Sequence, residues 1–100
     1  MKQPELLDVD PAELRLPGGR IDGADPAKLL RQISRHGDTV DDMPNLLVTR
    51  DVQGCLILND GVTRATRIAK LRPGTLLTVE VIDEVSVDLS SLPTIREKLP

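Results

Sequence analysis

Aromatic side chains are absent: none of the 100 residues is Phe, Tyr or Trp. That removes base-stacking platforms of the kind used by RNA-recognition and single-strand-binding modules. It also removes aromatic cages for quaternary ammonium groups. Cysteine and histidine occur once each, as Cys55 and His36, so neither an internal disulfide nor a zinc set can be assembled. No run approaches the roughly 20 apolar residues that span a bilayer, and Met1–Glu5 lacks a leader's apolar stretch. The formal charge of -3 gives no general attraction to nucleic acid or anionic lipid. The expectation is a cytoplasmic domain that binds no DNA directly and sits in no membrane.

What is present is aliphatic. Sixteen Leu, nine Val and six Ile supply most of the 39% apolar fraction, too much for a disordered chain. A length of 100 residues fits one domain over 1–100. Residues 1–19 read as an arm of short strands and turns, broken by Pro4, Pro11, Pro17, Gly18 and Gly19. Leu6–Val9 and the alternating Leu14-Arg15-Leu16 are its strand candidates. Asp25-Pro26 opens a helix over 26–36, with Asp25 as N-cap and Pro26 at the first helical position. Gly37 suits its left-handed C-terminal cap. Two aliphatic runs, Leu46–Arg50 and Cys55–Leu58, flank Asp51-Val52-Gln53-Gly54 as a hairpin. A second helix spans Val62–Leu71, with Ala65, Ile68 and Ala69 inward, and stops at Pro73-Gly74. Thr75–Ile82 is the longest strand. The order of strand, helix, hairpin, helix and strand predicts an α/β (α+β) domain with a short mixed sheet and two main helices.

The richest stretch in chemistry runs from Cys55 to Leu71. There a buried strand enters a glycine turn and then, at once, a helix. The first amides of such a helix lack partners, and the helix dipole makes that end electropositive. A phosphate is well held there. Gly61 permits close approach or a positive φ, Thr63 offers a hydroxyl, and Arg64 offers a bidentate fork. The bland alternative is an Asp-Gly turn present for its geometry alone.

The run Leu-Ile-Leu-Asn-Asp-Gly-Val-Thr-Arg-Ala-Thr-Arg-Ile-Ala-Lys-Leu resembles the turn and helix of the ParB/sulfiredoxin superfamily, whose members read Asp-Gly-His-Thr-Arg, Gly-Glu-Arg-Arg or Gly-Cys-His-Arg there. Asp25-Pro26 with its helix, Met43-Pro44, Pro73-Gly74 and Val79–Ile82 extend the likeness over about residues 20–83, leaving 84–100 as a tail. The resemblance implies that fold and a nucleotide ligand, ATP or CTP with magnesium. Carried over by position, it implies a phosphate or nucleotide site at Asn59, Asp60, Gly61, Val62, Thr63, Arg64 and Arg67. Sulfiredoxins place a catalytic Cys where Val62 stands and a His where Thr63 stands, so their thiolate chemistry is not expected. The partition proteins' Glu and first Arg are likewise replaced at Val62 and Thr63, and no DNA-reading domain lies within these residues. The expected function is a non-catalytic nucleotide- or phosphate-binding module. The alternatives are a protein-interaction or self-associating module with a relic pocket, and an enzyme acting on a nucleotide or nucleic acid.

Other residues have structural readings. His36 suits the C-terminal end of its helix, and Cys55 reads as a small core hydrophobe. Arg64, Arg67 and Lys70 fall on a solvated basic stripe, with the best functional claim at Arg64. Asp38, Asp41 and Asp42 lack the spacing of a calcium loop. Asp83–Asp88 reads as an acid-guarded edge strand, followed by a short helix from Pro93. The tail is free to cover the pocket or to swap onto a neighbour.

Overall fold

Alternating aliphatic residues build the sheet, and the register shows which face each one takes. The computed structural model describes residues 3–39 and 43–100. Its elements are β1 (Glu5–Val9), α1 (Pro26–His36), β2 (Leu46–Arg50), β3 (Leu56–Asp60), α2 (Val62–Leu71) and β4 (Leu77–Glu84). The sheet order is β1-β4-β2-β3. β1 runs antiparallel to β4, β2 runs parallel to β4, and β2 and β3 form an antiparallel hairpin. This is a mixed α+β architecture with two helices. No helix among the described residues is long and apolar enough to cross a membrane.

Leu7, Val79 and Leu46 lie in one register row, and Val81, Val48 and Leu58 in another. These rows form the covered face. Against it pack Val62, Ala65 and Ala69 of α2, so that one aliphatic cluster joins helix and sheet. The small Ala65 and Ala69 let α2 approach closely. The opposite face carries Leu6, Glu80 and Leu47 in one row, with Ile82 two residues along β4. Leu6 and Ile82 stay 50% and 48% exposed there.

Helix α1 starts as its sequence dictates. Asp25 Oδ1 accepts the Ala27 amide at 2.9 Å, Pro26 follows, and Gly37 closes the helix at φ +58°. It packs on α2 and buries Leu29 alone.

The two chain ends are woven into the sheet. Leu14 and Leu16 are 1% and 0% exposed, and Ile95 is 1% exposed. Between them Arg15 bridges β3 on one side and Thr94 on the other. Its amide donates to the Leu56 carbonyl at 2.8 Å, its carbonyl accepts from Leu58 at 2.9 Å, and Ile95 donates to Leu14 at 2.9 Å. Arg15 Nη1 also donates to the Leu92 carbonyl at 2.7 Å. The tail is therefore neither a pocket cover nor a detachable arm. Its helical part is a single turn, Arg96–Lys98.

The acidic run also departs from expectation. β4 lies inside the sheet, between β1 and β2, so Asp83 and Glu84 end an interior strand and guard no edge. Arg50 ties this end together, bonding Glu5 at 2.5 Å and Glu84. That bond to Arg50 holds the Glu5 carboxyl below the usual carboxylate range. Further on, Asp51 pins the hairpin turn to the 85–92 segment. Its Oδ1 accepts the amides of Gln53 at 2.9 Å and Cys55 at 2.8 Å, and its Oδ2 accepts the Leu89 amide at 2.7 Å. Burial alone would raise the Asp51 pKa, but the amides of Leu89, Cys55, Gln53 and Gly54 outweigh it and hold it low. Cys55 sits where this turn ends and stays partly exposed, because the buried positions of β3 begin two residues later, at Ile57.

Candidate functional site

Strand β3 ends at Asp60, and α2 begins two residues later. The reversal between them needs Gly61, which has φ +91° and ψ +26°. Two facts enforce glycine there. An L-residue is strained in that conformation, and an added Cβ would overlap the Leu46 Cδ2 methyl. Arg64 folds back over the same spot, its Nη2 3.4 Å from where the Cβ would be. The Ala65 amide donates to the Gly61 carbonyl at 2.8 Å, setting the first helical turn. No side chain caps this end, so its leading amides face outward without a protein acceptor.

A groove of about 460 Å³ opens in front of these amides. Gly61, Thr63 and Arg64 form its floor, and Arg20, Lys28 and Gln32 come from the segment before α1 and from α1 itself. Among the described residues no salt bridge engages Arg20, Lys28 or Arg64. Asp60 also lines the groove and is the acid nearest in effect to Arg64. Burial pulls the Arg64 pKa down, and Asp60 only opposes that shift. An arginine so placed stays cationic at neutral pH, and an incoming anion would replace the solvation it has lost. The buried Gln32 Oε1 has no hydrogen-bond partner among the described residues.

The sequence-predicted residues divide by place. Asp60, Gly61, Thr63 and Arg64 converge on the groove. Val62 lines it too but belongs to the core, at 5% exposure, so this position offers no reactive side chain. Asn59 faces the neighbouring strand, exchanging hydrogen bonds with the Thr49 hydroxyl at 2.9 and 3.0 Å. Arg67 leaves both the expected basic stripe and the groove. It is fully buried, and its Nη1 donates to the carbonyls of Gly37 at 2.7 Å and Thr39 at 2.9 Å. Its Nη2 reaches the Met43 sulfur at 3.2 Å. The physical reason is that the end of α1 presents unpaired carbonyls, which a guanidinium satisfies. Burial and the neighbouring Arg64 lower the Arg67 pKa against the pull of Asp38. Sequence reasoning missed Arg20, Lys28 and Gln32, because the contact between α1 and α2 that brings them to the turn has no local signal.

A second cavity of about 200 Å³ shares Pro44, Asn45 and Arg64 with the groove and adds Met43, Leu46, Ile68, Leu76, Leu77 and Thr78. The pair thus combines a cationic end with a mainly aliphatic one. Among the described residues no three His, Cys, Asp or Glu come together. Of the acidic loop, Asp38 is exposed, while Asp41 and Asp42 lie outside the described residues. His36 and Cys55 do not line the groove.

Fold and groove together define a small α+β domain with an electropositive helix end. Comparison with known proteins adds no relative: no family model, no curated protein and no solved structure matches the chain.

Proposed function

We propose that this protein is a non-catalytic phosphate- or nucleotide-binding module of the ParB/sulfiredoxin type, holding its anion at the Gly61 turn. The single observation that carries this reading is the groove in front of the uncapped α2, where Arg20, Lys28 and Arg64 meet with no salt-bridge partner among the described residues. Amides of Val62 to Arg64 and the Thr63 hydroxyl bind phosphate oxygens. Arg64 supplies the fork and Lys28 a second charge from α1. The adjoining aliphatic cavity takes the ligand's apolar part, and magnesium, if used, bridges Asp60 and the phosphates. Among the described residues the side chains lining the groove include no thiol, imidazole or pair of carboxylates, and this supports a binding reading.

Amide NMR titration with ATP, CTP, ADP and phosphate, each with and without magnesium, tests the proposal. Saturable shifts centred on Gly61 to Ala65 are expected. Arg64→Ala should weaken binding about tenfold or more, the scale of one lost charge-assisted hydrogen bond, while leaving the fold intact. No shift at millimolar ligand would retire the reading.

A further inference from the structure

The outward face of α1 and the open sheet face, which border the groove at Lys28 and Leu47, are both left uncovered by the two helices, and their chemistry is complementary. Leu30 stands out from α1 at 65% exposure. Exposed Lys28, Arg31 and Arg35 flank it, and none of them enters a salt bridge among the described residues. The open sheet face carries Leu6 and Ile82, 50% and 48% exposed. Beside them lie Asp8 and Glu80, which share that face by register and form no salt bridge among the described residues. Each face is an aliphatic centre with charge of one sign around it, cationic on α1 and anionic on the sheet.

We infer that a second copy of this chain covers the sheet face with its α1. A sheet face with aliphatic residues is ordinarily buried under a helix or another sheet, and here neither helix does so. The dimensions agree. The 11 residues of α1 extend about 16 Å at 1.5 Å per residue, and a five-residue strand extends about 16 Å as well. Seating Leu30 among Leu6, Leu47 and Ile82 places Arg31 and Arg35 against Asp8 and Glu80. The contact joins unlike surfaces, so each copy uses one face as donor and keeps the other for a further copy. A single-stranded nucleic acid is a poorer occupant of the basic face: it has no use for Leu30, and the chain lacks aromatic side chains for its bases.

Two triple variants test this. Leu30→Ser/Arg31→Ser/Arg35→Ser removes the helix face, and Leu6→Thr/Glu80→Gln/Ile82→Thr removes the sheet face. None of the six positions lines the Gly61 groove itself, and the sheet-face variant leaves the cations near it in place, whereas Arg31 and Arg35 border Thr63 in a neighbouring cavity. Sedimentation velocity should show concentration-dependent association of the natural chain. The apparent Kd should weaken about tenfold between about 0.05 M and about 0.5 M salt, as screened charge pairs require. Each variant alone should be monomeric. Their equimolar mixture should form a one-to-one complex, because each supplies the face that the other has lost. In that mixture, labelled helix-face variant should shift at Leu6, Leu47 and Ile82. If the sheet-face variant fails to fold by circular dichroism, Glu80→Lys alone should abolish association. A natural chain that stays monomeric at about millimolar concentration overturns the inference, and so does a mixture that stays monomeric.

Discussion

Gly61→Ala is the most informative single change, because the structure separates two costs at that residue. Gly54 and Gly61 have nearly the same positive φ, +87° and +91°. A Cβ on Gly54 meets nothing within 4 Å, whereas one on Gly61 runs into the Leu46 methyl. Gly54→Ala should therefore cost only the left-handed strain, about 1 kcal/mol. Gly61→Ala should add an overlap term of about 1–3 kcal/mol, since the Cδ2 methyl of Leu46, 2% exposed, must be displaced from its packed position. For a domain of this size each kcal/mol lowers Tm by about 4–8 °C. Thermal melts followed by far-ultraviolet circular dichroism are the assay, as the chain has no aromatic chromophore. Leu46→Val closes the cycle. Alone it should cost about 1 kcal/mol by deleting buried hydrocarbon; in the Gly61→Ala background it should be neutral or stabilising because it makes room. Equal Tm losses for Gly54→Ala and Gly61→Ala, or an equal effect of Leu46→Val in both backgrounds, would refute the steric account.

Three further outcomes follow from buried contacts. Arg67→Ala should destabilise by about 3 kcal/mol or more, because the carbonyls of Gly37 and Thr39 lose their shared donor inside the fold; Tm and amide exchange at the end of α1 report it. Ile95→Ala should cost about 2–4 kcal/mol for a core aliphatic 1% exposed, read by urea denaturation, where a surface-tail residue would leave the midpoint unchanged. Asp51, whose carboxyl is held low in the folded state, contributes stability that is complete above the unfolded carboxylate pKa of about 3.9 and disappears as pH falls through its folded value. Urea midpoints between about pH 7 and pH 3 should therefore fall less steeply in Asp51→Asn than in the natural chain, and parallel curves would reject the assignment.

The local signals of the chain predicted its local structure. Asp25 and Pro26 open α1 as expected, Gly37 ends it at positive φ but with ψ -128°, outside the left-handed helical cap that was expected, and the glycine before Val62 starts α2 where the inward Ala65, Ile68 and Ala69 require it. The mixed sheet with two helices was likewise legible. Pairing between distant segments was not. Nothing in Glu5–Val9 says that it lies against β4, and that pairing is what moves Asp83 and Glu84 from a supposed edge to an interior strand. Arg67 shows the same limit on a smaller scale. Its three-residue spacing from Arg64 and Lys70 describes one helix, whereas its burial depends on the carbonyls that end another. At the candidate site, the turn residues were readable because turn chemistry is local, while Arg20, Lys28 and Gln32 reach it through tertiary packing.

The threading of Leu14–Leu16 between β3 and Thr94 has a consequence for the order in which the molecule is made. During synthesis the hairpin, α2 and β4 emerge in sequence and can condense with mostly short-range closures. The edge of β3 then recruits Leu14–Leu16 from a segment made long before. That strip remains half-clad until the segment carrying Ile95 has emerged and packs against it. The final step closes a loop of about 80 residues between partners, as long-range as the pairing of β1 with β4, and so belongs with the slow closures of the fold. Until then the nascent chain exposes Leu14 and Leu16 as an unpaired, apolar strip, which makes this interval the one in which a chaperone has something to hold.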